Sequence, residues 1–210
     1  MVYFFAKKFL VPVFRLWIKD ITGVENILEN SQLIIAANHS SYVDHLFLCS
    51  IVIPKTNKKL HFLAKKEHFD SLAQRLWHNY AGAIPLDRQA GGKEALKQAI
   101  KELKQKKIIG IYPEGTRTLD GKMQRAKTGV ARLALLSKAP VVPVGLIGTF
   151  EIMPKGKYLP RLKSAKVNIG KPITFEKYYG KRITKKLLRE VTNIIMKEIA
   201  RLSKQKYNFD

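Results

Sequence analysis

The stretch Leu33-Ile34-Ile35-Ala36-Ala37-Asn38-His39-Ser40-Ser41-Tyr42-Val43-Asp44 sets a short apolar run in front of a polar turn, and an amphipathic run then continues to about Ile53. Such a run reads as a strand buried on both faces, and the longer segment after it as a helix. The same switch of period recurs downstream. Leu60-His61-Phe62-Leu63-Ala64 precedes a helical run from about Glu67 to Tyr80, and Ala83-Ile84-Pro85-Leu86 leads through Gly91-Gly92 into a helix from Lys93 to about Gln105. Ile108-Ile109-Gly110-Ile111-Tyr112, a helix from about Ala126 to Ser137 and Val141-Val142-Pro143-Val144-Gly145-Leu146-Ile147 follow. Beyond an irregular region with Pro154, Gly156 and Pro160, Lys166-Val167-Asn168-Ile169 and a helix from about Thr184 to Ser203 close the chain. This alternation predicts the α/β class, a single domain with a largely parallel central sheet flanked by helices.

Upstream, Val2 to Lys19 reads as one amphipathic helix, kinked near Pro12. At about 100° per residue, Lys7, Lys8, Arg15 and Lys19 fall within an arc of about 120°, and most of the rest is apolar or aromatic. With no acid before Asp20, this suits a helix lying in a lipid interface. No run approaches the roughly 20 apolar residues that span a bilayer. The expected organisation is a membrane-associating helix over 1–20 and a domain over 21–210, with chemistry-bearing motifs in about 33–148 and a basic part in about 155–210.

A chain of 210 residues fits one domain, and 46% hydrophobic residues supply its core. The formal charge of +23 excludes an acidic solvating chain, and Lys155 to Asp210 carries 16 Lys and Arg against Glu176, Glu190, Glu198 and Asp210. Nucleic acid, anionic lipid headgroups and an acidic carrier protein would each answer that charge. Nucleic acid is not expected, because no recognition pattern appears and the aromatics are not interleaved with the basic end. Cys49, the lone cysteine, sits in an apolar run and is expected to pack in the core; it forbids an internal disulfide. His39, His45, His61, His68 and His78 lack the paired spacing of a helical zinc site, so no metal is expected. Ala90-Gly91-Gly92-Lys93 fails as a phosphate loop, which would need Gly in place of Asp87 and Ser or Thr in place of Glu94.

The turn Asn38 to Asp44 carries the candidate chemistry. On one helix, His39 and Asp44 would lie about 140° apart and could not meet. With the helix beginning near Ser41, His39 sits in the preceding turn and Asp44 can reach back to it. A carboxylate on one ring nitrogen fixes the tautomer and leaves the other free to accept a proton, the base half of a hydrolase triad with no serine. Tyr112-Pro113-Glu114-Gly115-Thr116-Arg117 follows an apolar strand, at the sheet edge where α/β sites form. Gly82-Ala83-Ile84-Pro85-Leu86-Asp87-Arg88 brings a second arginine to a strand end, and two guanidinium forks can grip one phosphate.

Four segments in this order, NHSSYVD, GAIPLDR, YPEGTR and APVVPV, resemble the motif set of the glycerol-phosphate and lysophospholipid acyltransferase family, the PlsC-like acyltransferases, over roughly Leu33 to Gly148. The resemblance implies transfer of a fatty acyl group from acyl coenzyme A or acyl carrier protein, as co-substrate, to the free hydroxyl of lysophosphatidic acid, giving phosphatidic acid in phospholipid biosynthesis. Glycerol 3-phosphate, another lysophospholipid or a glycolipid is the alternative acceptor. Carried over by position, His39 is the general base and Asp44 its orienter; Arg88, Arg117 and Lys65 contact the acceptor phosphate. Asn38, Glu114, Gly115 and Thr116 shape the site, and no cofactor is implied. The expected setting is the cytoplasmic face of a membrane, as a peripheral or monotopic protein drawn to anionic lipid. Tyr112 stands where the family more usually has Phe, and the Pro-x-x-Gly often found after the Lys65 segment is missing.

Overall fold

The computed structural model describes residues 6–87 and 89–209. Among them the strands are β1 (Ile18–Thr22), β2 (Leu33–Ala37), β3 (Leu60–Lys65), β4 (Ile84–Leu86), β5 (Ile108–Ile111), β6 (Val141–Ile147) and β7 (Ala165–Ile169). They form one seven-stranded sheet in the order β1-β7-β6-β2-β5-β3-β4. Every neighbouring pair is parallel except β6 with β7. The α-helices are α1 (Val11–Arg15), α2 (Asp44–Thr56), α3 (Leu72–Ala81), α4 (Lys93–Lys104), α5 (Gly129–Ser137), α6 (Thr149–Ile152) and α7 (Lys185–Ser203). The expected single α/β domain with a largely parallel sheet is the observed one.

β2 is apolar throughout because both of its faces are covered. Ile34 and Ala36 face a layer that includes Ala99 and Leu103 of α4, Val130 and Ala134 of α5, and Val191 and Ile195 of α7. Leu33, Ile35 and Ala37 face the other layer, with Phe47, Leu48, Ile51 and Val52 of α2. Side chains alternate because successive strand residues point to opposite faces, and each fully buried Ile or Leu contributes roughly 1.5–3 kcal/mol. α7 starts where Thr184 Oγ1 accepts the Leu187 N–H at 3.1 Å.

The chain order then positions the site. From β2 the chain crosses through α2 to β3, runs outward to β4, and returns to insert β5 between β2 and β3. It places β6 on the far side of β2. Ala36 therefore lies opposite both Ile111 and Pro143, so β2, β5 and β6 end at one edge and their following loops meet there. A crevice at the carboxyl ends of strands, where the strand order reverses, is the usual site of α/β folds.

Two expectations are corrected. The helix expected from Val2 to Lys19 is shorter: its first residues lie outside the described ones, Ala6–Leu10 is π-helical, and α1 ends at Arg15. Ile18 already pairs with Ala165 in β1, and the Ala165 N–H donates to the Trp17 carbonyl at 2.8 Å. Pairing along β7 overrides the helical charge pattern, so the boundary expected at residue 20 falls inside a strand of the sheet. Helix α2 starts at Asp44, not near Ser41, because the Ser41 hydroxyl donates to the Met153 carbonyl at 2.7 Å and its N–H donates to Asp44.

Candidate active site

The turn after β2 is held by both neighbouring strands. Asn38 donates from Nδ2 to the Leu146 carbonyl at 2.9 Å and accepts the Leu146 N–H at Oδ1 at 2.8 Å, which ties the turn to β6. The His39 N–H donates to Glu114 Oε1 at 2.8 Å, and the Thr118 N–H donates to the His39 carbonyl at 3.1 Å. The loop after β5 thus grips the backbone of His39 from both sides. Glu114 Oε2 accepts the Gln124 N–H at 2.7 Å, so this carboxyl bridges two loops. Burial raises Glu114 to about 7, because removal from water penalises its charge more than the two backbone N–H groups favour it. Gly115 has φ +73°, a conformation that a side chain strains, and its N–H donates to the Tyr112 carbonyl at 2.9 Å.

Asp44, first residue of α2 and fully buried, points back into the turn. Its Oδ2 accepts three hydrogen bonds, from His39 Nδ1 and from the N–H groups of Ser40 and Ser41, each at 2.8 Å. A carboxylate there is favoured by the helix N-terminus as well. Since an ionised carboxylate only accepts, His39 Nδ1 carries the proton, and in the neutral imidazole Nε2 presents a lone pair. The flat face of the imidazole lies on Tyr112, whose other neighbour in the stack is Phe62, with ring centroids 5.5 Å apart. Gly110 makes room for this stack: a Cβ there would stand 2.4 Å from Phe62 Cε1.

His39 opens onto a cavity of about 530 Å³ that is also lined by Lys65, Gly115, Thr116, Arg117 and Lys155. The Arg117 guanidinium lies over the Tyr42 ring, 3.5 Å from its centroid, which holds the fork in place. Lys65 ends β3 opposite Leu86 of β4. Glu114 and Asn38 stand behind the cavity, buried, and act on it through the backbone of the turn. The structure therefore gathers His39, Asp44, Asn38, Glu114, Gly115, Thr116, Arg117 and Lys65; Arg88 lies outside the described residues. Among the described residues no cluster of metal-ligating side chains occurs.

The rest of the lining is a largely apolar wall that also carries His45, His68, Gln74 and His78, and it was not legible as a site. Val11 and Phe14 of α1, Leu46 and Ile53 of α2, Phe62 of β3 and Trp77 of α3 line it. The only local signal is on α2, where His45, Leu46, Cys49, Ser50 and Ile53 share one helical face. Cys49, expected to be core, is half-buried at this wall, and desolvation pushes its thiol up to about 12.

Residues 19–147, from β1 through β6, match the family model described as Acyltransferase. The chain is 34% identical over 149 residues to the 1-acyl-sn-glycerol-3-phosphate acyltransferase of Bacillus subtilis (strain 168), across 71% of this chain and 70% of that protein. It is 28% identical over 149 residues to the chloroplastic 1-acyl-sn-glycerol-3-phosphate acyltransferase of Brassica napus, of which it spans only 42%. The crystal structure of the 1-acyl-sn-glycerophosphate (LPA) acyltransferase PlsC from Thermotoga maritima superposes with a TM-score of 0.74 at 26% identity, covering 97% of this chain and 80% of that one.

Proposed function

The chain belongs to the Acyltransferase family, and from that premise we propose that it moves a fatty acyl group from an acyl thioester to the free hydroxyl of lysophosphatidic acid, giving phosphatidic acid. The observation that carries the reading is the His39 to Asp44 hydrogen bond of 2.8 Å at the wall of a cavity that combines cations with a long apolar lining. The names of the relatives supply the acceptor.

In this reading His39 Nε2 takes the proton of the acceptor hydroxyl as its oxygen attacks the thioester carbonyl carbon. Asp44 holds the tautomer and stabilises the imidazolium; a positioned base of this kind contributes about 10²–10⁴-fold. The tetrahedral intermediate collapses with loss of the thiolate, which receives a proton from His39. No covalent acyl-enzyme is required, because the acceptor itself is the nucleophile. Arg117 and Lys65, with Arg88 as the third cation, hold the acceptor phosphate so that its hydroxyl meets Nε2. The thioester donor is acyl coenzyme A or acyl carrier protein, both anionic. The protein works on the cytoplasmic face of a membrane, as a peripheral or monotopic protein on anionic lipid. No helix among the described residues is long and apolar enough to cross one.

The test is mass-spectrometric acyl transfer by the purified protein on anionic vesicles. Lysophosphatidic acid and glycerol 3-phosphate are each offered with palmitoyl-coenzyme A and palmitoyl-acyl carrier protein, beside His39→Ala. Phosphatidic acid formed from lysophosphatidic acid by the wild type, and lost in His39→Ala, is expected. Acylation of glycerol 3-phosphate alone overturns the acceptor, and an active His39→Ala overturns the base.

A further inference from the structure

The loop Lys155-Gly156-Lys157-Tyr158-Leu159-Pro160-Arg161-Leu162-Lys163-Ser164, between α6 and β7, presents its apolar side chains to solvent. Tyr158 is 82% exposed, Leu159 83% and Leu162 95%, and Leu16 beside the loop is 84% exposed. Backbone bonds hold the loop in this shape: the Arg161 N–H donates to the Ile152 carbonyl at 2.9 Å and the Lys163 N–H to the Arg161 carbonyl at 2.8 Å. Trp17 ties it to the end of the N-terminal helical segment, donating from Nε1 to the Arg161 carbonyl at 3.2 Å. Leu16, Trp17 and Leu162 share one shallow depression. Lys155, Lys157, Arg161 and Lys163 alternate with the apolar residues, none is ion-paired among the described residues, and no acid occurs between Glu151 and Glu176.

We propose that this loop, with Leu16 and Trp17, inserts into the headgroup region of an anionic bilayer. The proposal deepens the membrane-surface reading above, on which it rests, by naming the element that enters the lipid. Aliphatic tips with an aromatic residue at their base and cations around them match the interface layer by layer: leucines below the headgroups, tyrosine and tryptophan at them, Lys and Arg reaching anionic phosphates. Side chains standing this free of the fold suit a bilayer, which demands no shape complementarity. The placement also serves the site. Lys155 lines the cavity of His39, and the Tyr158 ring stands 6.1 Å from the Tyr42 ring that carries the Arg117 guanidinium. Insertion brings the acceptor-binding end of the cavity to the level where a lysophospholipid keeps its phosphate.

The test compares wild type, the double variant Leu159→Asp/Leu162→Asp and the control Leu136→Asp, exposed on α5 in the opposite helix layer, by co-sedimentation with phosphatidylglycerol–phosphatidylcholine vesicles. The double variant is expected to bind about tenfold or more weakly, with an unchanged Tm and unchanged turnover of short-chain lysophosphatidic acid kept monomeric. The control is expected to bind as wild type. An environment-sensitive label on Leu162→Cys is expected to shift to the blue with the same vesicles. A wild type that binds no vesicle overturns the loop together with the membrane reading. Equal binding by wild type and double variant overturns the loop alone. A label that responds to acyl carrier protein and not to vesicles overturns it in favour of protein docking.

Discussion

The phenol ring of Tyr112 lies against the imidazole of His39, with ring centroids 3.9 Å apart and planes 9° from parallel. Its hydroxyl is buried with no hydrogen-bond partner among the described residues. Tyr112→Phe keeps the stack and deletes an unsatisfied polar group, so it is expected to raise stability by about 1 kcal/mol in denaturant titration and to leave kcat within about twofold. Tyr112→Ala empties the space on which the imidazole rests and is expected to cost about 3–5 kcal/mol.

Asp44→Asn replaces an acceptor of three hydrogen bonds with a group that carries no charge and favours the wrong His39 tautomer. The expected loss in kcat is about 10²–10⁴-fold. Because the two residues act as one unit, the double variant His39→Ala/Asp44→Asn is expected to fall no further than His39→Ala. Steady-state rates of the three proteins check this; multiplying losses would mean that the residues act separately.

Glu114 titrates at about 7 in the folded protein, against an ordinary carboxyl near 4.5. The folded state therefore holds this proton more tightly than the unfolded chain. Its contribution to stability is full below about pH 4.5 and is lost as pH rises through about 7, an effect on the order of 3 kcal/mol. Denaturation midpoints at about pH 5 and about pH 8 are expected to differ less in Glu114→Gln than in wild type. The variant also leaves one backbone N–H, of His39 or Gln124, facing an amide NH₂ instead of an acceptor.

Arg117 is held by stacking on Tyr42 and faces the cavity beside His39. Arg117→Ala is expected to raise the acceptor KM by about 10–100-fold, the worth of a charge-assisted phosphate contact, and to change kcat less. Arg117→Lys keeps the charge and loses the planar fork, so it is expected to recover only part of that loss.

The Cys49 thiol, pushed up to about 12 from an ordinary 9.0, is expected to react with maleimide at neutral pH about 10³-fold more slowly than an exposed cysteine. Unfolding restores the ordinary rate. Labelling followed by intact mass, with and without denaturant, measures both.

What could be read from the residues follows burial. Leu33–Ala37 was legible because a strand covered on both faces is apolar at every position. Ile18–Thr22 was not, because an edge strand keeps Lys19 and Asp20 in solvent and the same residues also fit a helical arc. The order of the strands, with β5 inserted between β2 and β3, depends on contacts far apart in sequence and left no local trace. In the site, the five-residue spacing of His39 and Asp44 and the turn at Glu114 and Gly115 carried their own signal. The stack of Phe62, Tyr112 and His39, and the cavity walled by α1, α2, β3 and α3, are assembled from separate segments whose apolar residues look like any core.

Leu16 and Trp17 are the whole connection between α1 and β1, and β1 is hydrogen-bonded into the sheet along β7. A helix mounted so closely cannot swing as a tethered float would. Whatever surface it rests on, its orientation passes rigidly to the sheet and to the strand ends that carry His39. On the membrane surface proposed above, the protein would then ride at one tilt and one height, and each lipid would rise from its leaflet by the same distance on every turnover.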